Sequence, residues 1–184
     1  MMRACLVLLL VLLPTLASAG TLVGIVSERS AAELAAGAAR FLDAYPDHRV
    51  VLRTPEQLAK TDDAELDELL NDADALLLAA VFGEQTGRLA RLVETAAARR
   101  DFPILAVNGD RRLTRLSRLS GEWALAGLDA ATLGELVASP DAEEAATEHL
   151  AAQRERFPGQ AEWLTGRAYY QGRSPSTLTA CCAG

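Results

Sequence analysis

The sequence predicts an α/β fold, a parallel sheet of about four strands followed by a helical C-terminal part. Three observations carry that expectation. Short apolar runs alternate with helix-period stretches along residues 20–110, the pattern of a sheet with helices on both faces. The most apolar stretch of that region, "DALLLAAV" at 74–81, lacks polar alternation, as a central parallel strand covered on both sides would. Half of the 184 residues are hydrophobic but only 5% are aromatic, which points to an aliphatic, helix-rich core.

The elements follow in chain order. "TLVGIVSE" is a compact apolar run with Val and Ile and reads as a buried strand at 21–27. A helix is expected at about 30–45, with Ser30 as its cap and Glu33 completing a capping box. Leu34, Ala38, Phe41 and Leu42 form its apolar face, and Tyr45-Pro46-Asp47 ends it. "HRVVLRT" gives a second strand at 48–53. Residues 54–73 read as helix in one or two pieces, with Thr54 as cap and Pro55 in the first helical position.

Leu58, Leu66, Leu69 and Leu70 supply the inward face of that stretch. The third strand is expected at 74–80. "FGEQTG" follows, then a helix to about Arg100 with Leu89, Leu92, Val93 and Ala96 inward. "FPILAVNGD" holds the fourth strand, at 103–107. Right-handed crossovers favour a flavodoxin-like or Rossmann-like arrangement with strand order 2-1-3-4. Beyond Asp110, "RRLTRLSRL" at 111–119 looks helical. A helix or short strand follows at 122–128, then helices near 129–138 and 140–157, the last capped by Ser139 with Pro140 behind it.

The first twenty residues read differently. "MMRACLVLLLVLLPTLASAG" has a basic head at Arg3, an apolar run too short to span a bilayer, and Ala17-Ser18-Ala19. That is the layout of a cleaved secretory signal peptide, so a secreted, periplasmic location is expected, with no stable membrane anchor after cleavage. Losing residues 1–19 removes one of 18 basic residues and none of the 25 acidic ones, leaving a net charge of −8. An acidic exported chain is a poor partner for nucleic acid. The expected organisation is 1–19 signal peptide, 20–110 α/β core, 111–170 helical continuation of the same domain, and 171–184 the interrupted start of a next domain or a disordered tail. A vicinal disulfide between Cys181 and Cys182 is a rival reading of that tail.

Candidate chemistry is sparse. Ligands of open parallel sheets bind at the carboxyl ends of the strands, here Ser27–Arg29, Arg53-Thr54, Phe82–Thr86 and Asn108–Asp110. "GEQTG" at 83–87 opens a helix whose N–H groups suit an anion, but it lacks the Lys-Ser/Thr ending of a phosphate loop. His48 and His149 are far apart and read as surface residues, and no metal-ligand spacing is visible. Ser27 and Ser120 lack a nucleophile-elbow context. Arg111, Arg115 and Arg118 fall on one stripe of the expected 111–119 helix, where forked guanidinium groups match carboxylates. The candidate ligand-binding residues are Gly83, Glu84, Thr86, Asn108, Asp110, Arg111 and Arg115. No catalytic and no metal-binding residue is assigned.

"DALLLAAVFGE", "ILAVNGD", "RLTRLSRLSGEWAL" and, much later, "YYQGRSP" together resemble the N-terminal region of the cobaltochelatase large subunit (CobN) family, whose architecture the magnesium chelatase H subunit shares. The resemblance covers roughly residues 22–175. It implies a large subunit of cobalamin-type biosynthesis that inserts cobalt or magnesium into a tetrapyrrole, with ATP hydrolysed on partner subunits. Its metal and macrocycle sites lie mainly in further domains, so no cofactor is expected in this chain. Ser176-Thr177-Leu178 stands where the family's Glu-Asn-Leu would be, and export is a departure, since ATP is not found outside the cytoplasm. Two functions follow as expectations. One is an N-terminal fragment of an exported, apparently truncated CobN-like subunit, inactive alone. The other is a free-standing periplasmic module that binds a tetrapyrrole or metal complex. A small exported hydrolase is a third reading, which the missing nucleophile–base signature opposes.

Overall fold

A computed structural model describes residues 19–119, 125–138 and 145–171, with the side chains of 145–147 outside that set. The segment expected to be a signal peptide, the Ser139-Pro140 cap and the Cys181-Cys182 tail lie outside the described residues. No helix among the described residues is long and apolar enough to cross a membrane.

The sheet has four parallel strands, β1 (Thr21–Val26), β2 (Arg49–Arg53), β3 (Ala75–Ala79) and β4 (Ile104–Val107), in the expected order β2-β1-β3-β4. Register runs Val23 to Val51, Val23 to Leu76, and Leu77 to Leu105. Between the strands lie α1 (Glu28–Ala44), α2 (Pro55–Lys60), α3 (Asp63–Asn71) and α4 (Gln85–Arg99). After β4 come α5 (Arg111–Thr114), α6 (Ala130–Val137), α7 (Ala145–Arg156), a 3-10 turn at Pro158–Gln160 and α8 (Ala161–Tyr170).

Strand periodicity divides the core in two. Val23, Ile25, Leu76, Leu78, Ile104 and Ala106 face one layer, built from α2, α3, α4 and α5. Leu22, Val26, Leu77, Leu105 and Val107 face the other, where α1 packs beside α6, α7 and α8. All five residues of β3 are buried, as its unbroken apolar run requires.

Residues 54–73 form two helices because two caps compete for them. Thr54 and Gln57 make a full capping box at α2, and Asp62 restarts the helix by accepting from Glu65 N at 2.8 Å. The expectation for Ser30 is corrected. The helix begins earlier, at Glu28, with Ser27 in the cap position and no side-chain cap bond. Ser30 therefore lies in the first turn, and its hydroxyl is used elsewhere.

The 111–119 helix is also corrected. Only Arg111–Thr114 is helical. The chain then turns so that Arg118 pairs antiparallel with Ile104, with backbone N–O distances of 2.7 and 2.8 Å. Ser117 bonds both the N–H and the C=O of Ala106, and Trp163 Nε1 donates to the same carbonyl at 2.9 Å. The outer edge of β4 would otherwise bury unpaired backbone groups, and their cost outweighs the local helical pattern. The arginine stripe disappears with the helix. Arg118 is buried and bonds the carbonyls of Phe102 and Arg100 and the carboxylate of Asp101.

Helix α8 was not anticipated as a separate element. It lies against β4, and Gly166 allows the approach: a Cβ there would meet the Leu105 side chain at 2.9 Å. The histidines differ from expectation too. His48 is half-buried edge-on to Phe41 and Tyr45, and among the described residues neither of its ring nitrogens has a hydrogen-bond partner. His149 is half-buried, with Nε2 unpartnered among the described residues.

Candidate binding site at the carboxyl edge of the sheet

Helix α1 leaves β1 on one face and α4 leaves β3 on the other, so the loops after these adjacent strands diverge. This is the topological switch point, where an open parallel sheet forms a crevice. Ser27 N donates to Ala79 O at 3.0 Å and holds the first loop against the end of β3. Ala80 then takes φ +54°, an uncommon left-handed value for a residue with a Cβ. The turn delivers Phe82 to the surface, 61% exposed, followed by Gly83 at φ +91° with open space around it.

The β4 loop closes against this segment. Asp110 N donates to Val81 O at 2.9 Å, and Gly109 lies so near that a Cβ would stand 3.0 Å from the same carbonyl. Asn108, at φ +51°, is exposed beside them and accepts from Gln171 Nε2 at 3.4 Å.

The end of α8 completes the edge. Tyr170 and Ser30 share a hydroxyl hydrogen bond of 2.9 Å, and Ser27 Oγ donates to Ser30 Oγ at 3.1 Å. Sequence reasoning noted Ser27 as a strand-end residue but did not connect it with Ser30 or Tyr170. No local motif links positions 140 residues apart.

The residues expected to bind a ligand divide into three groups. Gly83, Glu84, Asn108 and Arg111 are exposed at or next to this edge. Thr86 and Asp110 are spent on structure. Thr86 is buried and its hydroxyl donates to Gly83 O at 2.8 Å, while Asp110 caps α5 by accepting from Arg112 N at 2.8 Å. Arg115 stands apart, lining a cavity of about 590 Å³ between α4 and the segment that follows β4. Arg112, which sequence reasoning did not single out, lines that cavity with it, and Arg111 does not.

Among the described residues, no group of three or more His, Cys, Asp or Glu side chains is placed to hold a metal ion. The edge offers hydroxyls, an amide, an exposed aromatic ring, a guanidinium and the Glu84 carboxylate. Such groups can bind and orient a ligand. Comparison with family models, curated proteins and solved structures finds no match to this chain.

Proposed function

We propose that this chain is a binding domain for a carboxylated tetrapyrrole, of the kind that opens an exported CobN-like chelatase large subunit, and that it inserts no metal by itself. The observation that carries this reading is Phe82, an aromatic ring 61% exposed at the switch point of a doubly wound sheet. An exposed ring there offers a stacking surface to a flat, apolar macrocycle. Arg111, one residue beyond the Asp110–Val81 bond, is exposed and supplies a fork for a peripheral carboxylate. The hydroxyls of Ser27, Ser30 and Tyr170 give the edge a polar flank. The order of the sequence motifs supports the same class. In this reading cobalt or magnesium is a substrate handled by other domains, and ATP belongs to partner subunits.

The test is fluorescence titration of the purified chain with uroporphyrin, an octacarboxylated porphyrin. Binding is expected to be weak, because one loop cluster covers only part of a macrocycle. Phe82→Ala should weaken it up to about tenfold, the upper end of a stacking contact of about 0.5–1.5 kcal/mol. Binding that survives both Phe82→Ala and Arg111→Ala unchanged would remove this site from consideration. Sub-micromolar affinity would favour a free-standing periplasmic module over a domain of a larger subunit.

A further inference from the structure

The cavity lined by Arg115 lies on one face of the sheet, along the first three turns of α4, and the macrocycle reading makes no use of it. We infer that it is a separate site for a small monocarboxylate with an apolar body, a medium-chain acid in its simplest form. Its volume, about 590 Å³, falls in the range of small-molecule pockets. Ala90 and Leu116, both buried residues, supply its apolar wall.

The charges around it select the ligand. Arg91 is already committed to Asp63 at 2.5 Å. Arg115 is half-buried, and among the described residues none pairs with its guanidinium. Arg112 has only a long contact of 3.9 Å to Asp110. It reaches across to α4, where Nη1 would stand 3.3 Å from a Cβ on Gly87. Two arginines with unspent donors thus line one cavity with an apolar wall, Arg115 half-buried and Arg112 with its side chain 70% exposed, a pairing suited to one carboxylate. Glu94 lines the same cavity with no ion pair to a described residue. Arg112, Arg115 and Glu94 leave the lining with two positive charges against one negative, a net +1, which one carboxylate balances and a second exceeds, so the lining disfavours diacids. Gly87 has a role here: without a side chain, it leaves Arg112 room to lie against α4.

Calorimetric titration of the full chain with octanoate, 1-octanol and suberate tests the assignment. Octanoate should bind, with octanol and suberate at least about tenfold weaker for want of the charge and because of Glu94. Arg115→Ala should weaken octanoate by at least about tenfold. At Gly87, within a regular helix, a Cβ meets only the far end of Arg112, and the larger side chain of Gly87→Leu occupies space along the cavity wall. It should abolish octanoate binding while leaving the circular dichroism spectrum and Tm of a folded protein. Phe82→Ala should change nothing, which separates this site from the macrocycle edge. Undetectable binding at millimolar octanoate overturns the inference. So does octanol or suberate binding as tightly as octanoate, or octanoate affinity indifferent to both Arg115→Ala and Gly87→Leu.

Discussion

The two faces of the sheet are tied down by different physics. On one, α3 and α4 are bridged at the surface: Asp63 pairs with Arg88 and Arg91 at 2.5 Å each, and Asp67 with Arg99 at 2.7 Å. On the other, the C-terminal helices are fixed by donors inside the protein. Trp163 reaches the backbone of β4, and Arg167 donates to the carbonyls of Leu136, Val137 and Ala138 that end α6. The first set of helices connects neighbouring strands, so chain connectivity and an apolar stripe already place them. Their ion pairs lie at the surface and are individually weak; Arg88, 24% exposed, adds bonds to the carbonyls of Leu58 and Thr61. The second set arrives from far along the chain, where no short loop dictates position. Buried polar contacts that fit in one way only then set the register, and losing one strands a partner away from water.

The largest effect is expected at Trp163, which is 1% exposed. Trp163→Ala should cost about 3–5 kcal/mol in chemical denaturation, through lost burial and the cavity left behind. Trp163→Phe keeps most of the volume and should cost only about 1 kcal/mol for the missing hydrogen bond. If the alanine variant lost no more than the phenylalanine one, the claim that this face is the demanding one would fail.

Arg167→Met comes next. It keeps much of the length and the packing on Trp163 but removes the Arg167 donors to the carbonyls of Leu136, Val137 and Ala138, leaving Gln153 on those of Glu135 and Leu136. A loss of about 2–3 kcal/mol is expected, as for hydrogen bonds made by a charged group to buried acceptors. Hydrogen exchange should show the loss concentrated in α6. Protection lost evenly over the sheet would mean that Arg167 merely fills space.

The same contrast explains what the sequence revealed. All four strands and their order were legible because each is a short apolar run bounded by turn residues, as in "DALLLAAV". The cap of α2 was legible because Thr54-Pro55 acts within three residues; Asp129, which caps α6 over the same range, was not singled out. Arg118 was misread because its spacing from Arg111 and Arg115 is helical while its partners are backbone carbonyls at 100 and 102. An unmet strand edge leaves no mark in local periodicity. The site follows the same rule. The general behaviour of strand ends placed Gly83, Asn108 and Arg111 at the carboxyl edge, where they lie. Tyr170 was missed because only the packing of α8 on β4 brings it to Ser30. Arg112 was missed because a guanidinium lying against a glycine of another helix has no sequence signature.

The smallest effect is expected from Asp63→Asn, and its pH dependence makes it informative. Hydrogen bonds from the Arg88 and then the Arg91 side chain hold the Asp63 carboxyl below its ordinary value of 3.8. A carboxyl lowered in the folded state stabilises fully above its unfolded value and loses that contribution as pH falls through the folded one. The variant should therefore trail the parent slightly in Tm at neutral pH. The gap should close as the pH drops below the ordinary aspartate range, and also as salt is raised at neutral pH. Because the carboxylate is exposed, the neutral-pH gap must be well below that of Arg167→Met. A gap as large as that, or one unmoved by acid and salt, would show that the α3–α4 ion pairs are structural anchors and that the two faces do not differ in kind.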